Sequence, residues 1–529
     1  MFRAFLTLAA FWLSSFSVVA GTWTFSTNRV LVTTAYEGFA YDDGGAVRGT
    51  MTASAKAAVK KVVDRTTKVV SYTTNWTFTA KALLQNSTVS FSGKAVGGVE
   101  RVALMAKTGE TLDVALGADS FQGTLSGGAV GGALGVAGAR NVFADRKDVA
   151  AQVRLNAVKG AYNVALVEGG AFRGYLSLAV GSLGAVNYAG RLADGTSITG
   201  SAKLLQGLSA DGRYAVALYR TLYTKKGFVG GLLWLSPDEK TIRVDTPCGW
   251  RVDWVKADPK TETFERGLEV VGGVWDGQSG MNNPRFDVSV PEGLPPPATG
   301  LSGAWAEEAF PWFLPVTVSG TKWTLPKATA PKKTGLAYTY VGANPSGAAL
   351  AYTAKAGLFK GTFKLFYDGT DTRGNAQHKT ISVSYTGLMV QEEGALVGLG
   401  MGTATINATK VALPVTLAEA LYLSAETAYQ EHLDQVWVMG QGSVTRLLAD
   451  DTDGDRHQRF ILALPSGQTV LVAHNIDSAP RVPDIAVGNI IRFCGEYIWS
   501  DLGGTVHWTH HRNATGDAGW LEKQGQRYE

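Results

Sequence analysis

Histidine is the residue whose distribution most directly points to chemistry. The 529-residue chain has seven, and five of them (His457, His474, His507, His510 and His511) fall between positions 457 and 511. Three of the five sit within "HWTHH", residues 507–511. Neutral imidazole nitrogens are good ligands for transition metals, and a site is built by bringing several of them together with carboxylates. The five histidines are therefore candidate ligands for a divalent transition metal. Asp477, three residues after His474, is placed to orient a ring or to act as a base, and Arg481 to hold an anionic group. A bound ion would activate water, which makes metal-dependent hydrolysis, of phosphodiesters for instance, one reading of the set. The other readings are a seat for a small polar ligand and a hydrogen-bonded structural network that fixes a barrel.

These side chains must be carried by strands. Short segments at 436–448, 457–464, 468–474, 488–498 and 504–511 have strand-like patterning, and each of the five histidines lies at or near a strand end. Five strands in under 100 residues suit a small OB-like barrel, with a sandwich fragment as its rival. On a last strand reaching 511, His507 and His511 would share one face, and His510 the other with Trp508.

Other chemistry is sparse. In the loop "ADDTDGDRHQ", Asp451, Asp453 and Asp455 alternate as in a calcium loop, but Arg456 and Leu462 stand where such a loop needs Gly and Glu. A solvated acidic turn is expected there. His378 and His432 stand alone and are expected at the surface. No phosphate-binding Gly loop or nucleophile elbow occurs. Residues 436–529 hold eight Lys and Arg against eleven Asp and Glu, a balance of −3, which argues against binding nucleic acid phosphates. A small polar ligand or a surface polysaccharide is the more compatible partner.

The rest of the chain reads as scaffold. Gly is frequent (64 residues) and is mixed with β-formers rather than with Pro, which indicates many short strands and tight turns. Residues 1–20 read as a signal peptide, with Arg3 ahead of an apolar run that ends in Val-Val-Ala. No later stretch is long and apolar enough to span a bilayer as a helix. The expected chain is thus secreted, periplasmic or at the cell surface. The expected class is mainly β: Gly-rich antiparallel units, each a barrel or sandwich, at 21–155, 156–288 and 301–415. A Pro-rich linker at 289–300 would precede the third. The stretch 416–435 lacks Gly and Pro and spaces Leu417, Leu421, Ala425 and Ala428 as a helix would. That helix leads into the C-terminal domain, 436–529. Cys248 and Cys494, far apart, are expected to be small buried apolar residues rather than a disulfide.

Two resemblances add to this. "GYLSLAV", "GAVNYAGRLADGTSITGSAKLL" and "YTAKAGLFKGTFKLF" resemble Gly-rich β repeats of large exported bacterial proteins of unknown function. That resemblance implies β architecture at the cell surface and no reaction. The C-terminal motifs "RHQRF", "SGQTVLVAHNIDSAPR", "FCGEYIW", "GGTVHWTHH" and "GWLEKQGQRY", in this order, resemble the bacterial domain of unknown function 3465. After His511 the chain departs from that pattern, with Arg512 to Ala518 where the family continues with Asp-Pro and a further His. The resemblance implies no activity.

Overall fold

The computed structural model describes residues 33–529 except 86, 97–100, 118, 131, 210, 245–250, 260–261, 278–280, 282–283, 292, 336, 393–394, 420–421 and 511–518. Residues 1–20, expected to be a signal peptide, and Cys248 and His511 lie outside the described residues. The chain is mainly β throughout.

The first unit is an eight-stranded antiparallel sheet running from Thr33–Tyr41 to Ala133–Arg140. Its strands alternate as half-buried strands should: along Thr111–Leu116, Leu112, Val114 and Leu116 face the core. The high Gly content has a packing reason here. Gly38 and Gly138 are cross-strand partners, and a Cβ on either would lie under 3 Å from the ring of Phe121. The bare backbone is the floor on which that ring packs.

A helix, Val149–Val158, joins the first unit to the second. Asp148 caps it by accepting a hydrogen bond from the Ala151 amide, 2.9 Å long. Ala151, Leu155 and Val158 enter the core of the second unit.

The second unit closes on itself. Gly160–Glu168 pairs with Ala171–Val180 on one side and with Glu262–Trp275 on the other, while Tyr214–Leu222 pairs with Gly227–Leu235. The result is an eight-stranded ring, which leaves no open edge. The first two units have separate sheets. They share a core in which Phe39 and Val47 of the first meet Tyr219, Phe228 and Trp234 of the second.

The third unit begins earlier than the sequence indicates. Pro284–Val288 pairs with Thr409–Glu419, so the Pro-rich stretch 289–300 is a loop within the third unit and not a linker ahead of it. Its phenylalanine and valine, Phe286 and Val288, alternate inward and are fully buried. The helix expected over 416–435 shrinks to Ala425–Gln430, capped by Ser424. Thr409–Glu419 is a strand instead, because Leu413, Val415 and Leu417 alternate into the third core while the backbone pairs with Ala395–Ile406. Tertiary pairing outweighs the local helical spacing.

The C-terminal domain is a closed five-stranded barrel. In spatial order its strands are Val436–Leu447, His457–Ala463, Thr469–Asn475, Thr505–His507 and Ile490–Ile498, and the last pairs back to the first. Thr469–Asn475 and Thr505–His507 pair in parallel. That order is the OB-like one. A hairpin, Trp520–Lys523 with Gln526–Tyr528, extends from Ile490–Ile498. The barrel docks on the third unit through Arg492. Its guanidinium lies 2.7 Å from Glu522, 3.5 Å from Asp287 and 4.2 Å over the Phe313 ring. Burial pushes the Asp287 carboxyl up, and the Arg492 charge opposes it. Among the described residues, no helix is long and apolar enough to cross a membrane.

Candidate functional site

Strand alternation divides the histidines between two sides of the barrel wall. Along His457–Ala463, Gln458, Phe460 and Leu462 are buried in the barrel, while His457, Arg459 and Ile461 are half-buried on the outer side. The neighbouring strand follows the same rule. Gln458 faces His474 across the ladder, and His457 faces Asn475. His474 is therefore an interior residue and His457 an outer one.

His474 is fully buried. Its Nε2 lies 3.0 Å from the Pro480 carbonyl oxygen, which can only accept, so Nε2 carries the proton. Nδ1 then accepts from the Thr509 hydroxyl at 2.9 Å. Both ring nitrogens are used, and none remains for an ion. Burial holds the imidazole below its ordinary pKa, and the hydrogen bond to the Pro480 carbonyl acts in the opposite direction. Beside it Gln458 closes a second buried link, donating to the Val482 carbonyl (3.0 Å) and accepting from the Val482 amide (3.0 Å). His474 thus ties the third barrel strand to the loop that follows it and to the segment after His507. Its role is structural rather than that of a metal ligand.

The outer side assembles a different set. The parallel register Leu471↔Thr505 and Val472↔Val506 continues to place Ala473 beside His507. Arg459 pairs with Ala473, Glu496 with His507, and Trp437 with Glu496. One row across four neighbouring ladders therefore reads Arg459, Ala473, His507, Glu496, Trp437. Tyr422 packs against the Trp437 ring at 5.5 Å between centroids. His507 Nε2 lies 3.0 Å from Glu496 Oε2, off the line of a well-formed hydrogen bond. Burial lowers the His507 pKa first of all. The Glu496 carboxylate raises it, and the charge of His457 lowers it again. His457 lies two residues before Arg459 on the same strand and so shares its outer face.

The remaining sequence candidates are placed as follows. Asp477 does not orient His474. It accepts from the Arg456 amide (2.8 Å), Nε (2.8 Å) and Nη2 (2.6 Å), and these bonds hold its carboxyl below the usual range. A carboxylate so engaged is a poor general base. Arg481 is bound to Asp450 of the acidic loop. His510 is buried, its ring 5.1 Å from that of Trp508. The last strand ends at His507, and Trp508 turns away with φ of 51°, so the expected alternation does not extend to 510. In the acidic loop, Asp451 accepts from the Asp453 amide and pairs with Arg459 at 3.5 Å, and Asp455 accepts from Asn475. Each is tied locally, as a solvated turn would be. Among the described residues no group of three or more His, Cys, Asp and Glu side chains is arranged to hold a metal ion.

Residues 409–529 match the family model of a protein of unknown function (DUF3465). The DUF3465 match takes in the whole barrel and reaches back to the last strand of the third unit, Thr409–Glu419. No curated protein and no solved structure matches the chain.

Sequence reasoning missed Arg459, Glu496 and Trp437. No motif flags them; only the strand register, once known, lines them up. It also missed His378, which does not stand alone. Its Nδ1 lies 2.6 Å from Asp368 and its ring stacks on Tyr338 at 3.7 Å between centroids. His432 packs against Trp499 at 4.9 Å.

Proposed function

We propose that this is an exported, multi-domain β protein of the cell surface or periplasm. Its C-terminal DUF3465 barrel binds a polyhydroxylated polar ligand, of the kind a surface polysaccharide presents. The front units serve as scaffold. One observation carries the reading: the outer row of Arg459, His507, Glu496 and Trp437, with His457 beside it and Tyr422 against the Trp437 ring. It offers donors, an acceptor and an aromatic face side by side, the combination that sugar hydroxyls and sugar C–H faces need. It also lies on the strands and beside the loops (448–456 and 499–504) where OB-like barrels take oligosaccharides and oligonucleotides. The acidic 448–456 loop favours the saccharide of the two.

The alternative, a metal-dependent hydrolase, would draw ligands from His457 and His507 on the outer face. His474 has no nitrogen to contribute, and Asp477 is committed to Arg456. The donor set therefore favours the ligand-binding reading over the catalytic one. The test is a glycan-array screen of the full chain beside its His507→Ala and Trp437→Ala variants, with elemental analysis of the same samples. Glycan binding that both variants lose supports the reading. Stoichiometric metal that His507→Ala loses, with no glycan bound, replaces it with the hydrolase.

A further inference from the structure

Two strands of the first unit, Val47–Val63 and Val70–Leu84, outrun the sheet they belong to. They pair with one another from Gly49↔Leu84 out to Val63↔Val70. Their neighbours stop sooner. Thr33–Tyr41 follows the first only as far as Lys56, and Thr88–Val96 follows the second only as far as Asn75. Among the described residues no other strand pairs with what lies beyond. A two-stranded arm therefore projects by roughly 20 Å over residues 58–63, at about 3.3 Å per residue. Its tip is a built turn. The Asp64 amide donates to the Val69 carbonyl (2.9 Å), and the Asp64 carboxylate accepts from the amides of Thr67 (2.7 Å) and Thr66 (2.8 Å).

Two observations set the arm apart from an ordinary surface loop. The first is its apolar content. Val59, Val62, Val63, Val69, Val70 and Tyr72 are all exposed, Tyr72 by 68%. Single exposed apolar side chains are ordinary, but these lie side by side. Alternation explains the arrangement. In the body of the sheet, Met51, Ala55, Phe78 and Ala80 point into the core of the first unit. The same parity continues outward as Val59, Val63, Val70 and Tyr72, with Val63 opposite Val70. The core face of the sheet thus runs on past the core, and the arm carries it uncovered into solvent.

The second observation is charge. Residues 58–72 hold Lys60, Lys61, Arg65 and Lys68 against Asp64 alone, and the turn amides engage that carboxylate. Lysines on a free ribbon guard against edge-to-edge pairing, but a guard does not call for valines and a tyrosine beside it. Exposed apolar side chains among cations match a bilayer with anionic headgroups, which offers an apolar interior beneath a layer of phosphates. They match a second copy of the arm poorly, because pairing two arms would bring like charges together.

We propose that the 58–72 arm docks the protein on an anionic lipid surface. Val63, Val69, Val70 and Tyr72 enter the boundary between headgroups and acyl chains, with the Tyr72 hydroxyl at headgroup level. Lys60, Lys61, Arg65 and Lys68 extend along their apolar stems to the phosphates. The arm belongs to the first unit, and its role is independent of the ligand assigned to the barrel.

The experiment is co-sedimentation of the full chain with vesicles of mixed phosphatidylglycerol and phosphatidylcholine. The comparison arms are vesicles of phosphatidylcholine alone and beads carrying the polyanion polygalacturonate. The variants are Lys61→Glu/Lys68→Glu and Val70→Ser/Tyr72→Ser, all at exposed positions, with His507→Ala as the barrel control. Unchanged hydrogen-exchange protection of Thr111–Leu116 shows that the unit stays folded. Each cation at an anionic surface is worth about fivefold in partition, so the wild type should prefer the mixed vesicles by about tenfold or more. Each double variant should lose about tenfold or more of that binding, and His507→Ala should bind as the wild type does. Equal partition onto both vesicle types overturns the anionic requirement, and double variants that bind as the wild type does overturn the arm as the docking element. Tighter binding to the beads than to the vesicles replaces the lipid with an anionic polymer. A dimer that Val70→Ser/Tyr72→Ser dissociates, without vesicle binding, replaces it with a second copy.

Discussion

Replacing His474 by Ala distinguishes a structural histidine from a ligand-holding one. The ring is fully buried and makes two hydrogen bonds, to Thr509 and to the Pro480 carbonyl. Each is worth about 1 kcal/mol net, and leaving a buried acceptor without its donor adds roughly 1–3 kcal/mol. The space vacated by the imidazole adds a cavity cost. Together these give at least about 3–5 kcal/mol. The readout is native-state hydrogen exchange of the full chain, because unfolding of several units is not a single transition and a global midpoint would average over them. At about 1.4 kcal/mol per factor of ten, protection of the slow amides in His457–Ala463 and Thr469–Asn475 should fall by more than a hundredfold. The first two units should be unaffected. His474→Phe, which keeps the volume and loses both bonds, should show a smaller loss. Exchange within about threefold of wild type, together with loss of a bound ion from the Ala variant, would refute the reasoning and return His474 to a metal site.

Acid should loosen the same barrel. Burial holds the folded-state pKa of both His474 and His507 below the ordinary value, so between that lowered pKa and about 6.5 the unfolded chain binds protons that the folded barrel does not. The stability is fully present above about 6.5 and is lost as pH falls toward the folded-state pKa. Exchange protection of the barrel that is flat or higher at pH 5 than at pH 7.5 would contradict this. Arg492→Ala should weaken the contact between barrel and third unit by about 1–3 kcal/mol, since Asp287 and Glu522 lose their shared cation. Limited proteolysis should then cut the chain faster between 419 and 436. In the first unit, Phe121→Ala removes a ring that is 2% exposed and should cost about 3–5 kcal/mol, read as earlier melting of that unit by calorimetry.

The C-terminal barrel was legible because its strands are short, alternating and punctuated by turns, and because five of them in that length leave few closed arrangements. Alternation was legible along each of these strands. What it did not show was which side faced the barrel interior, since that depends on the closure of Val436–Leu447 onto two different partners. The expected helix over 416–435 failed for a related reason. Leu417 fits a helical stripe and a strand equally well, and the choice was made by the neighbouring strand Ala395–Ile406, distant in local pattern. The Pro-rich stretch looked like a boundary because Pro cannot join a ladder, but a loop inside a unit excludes ladders just as well. The outer row is the clearest case of information that sequence does not carry. Arg459, Glu496 and Trp437 come from three separate strands, and only the pairing register makes them neighbours.

The most direct test of the account is the glycan-binding comparison of the full chain with its Arg459→Ala and Trp437→Ala variants. The account predicts that the wild type binds a polyhydroxylated ligand and that each single variant weakens it by about tenfold or more, with hydrogen-exchange protection of the barrel interior unchanged. Binding that survives both substitutions, or binding that is lost only when His474 is replaced, would contradict it.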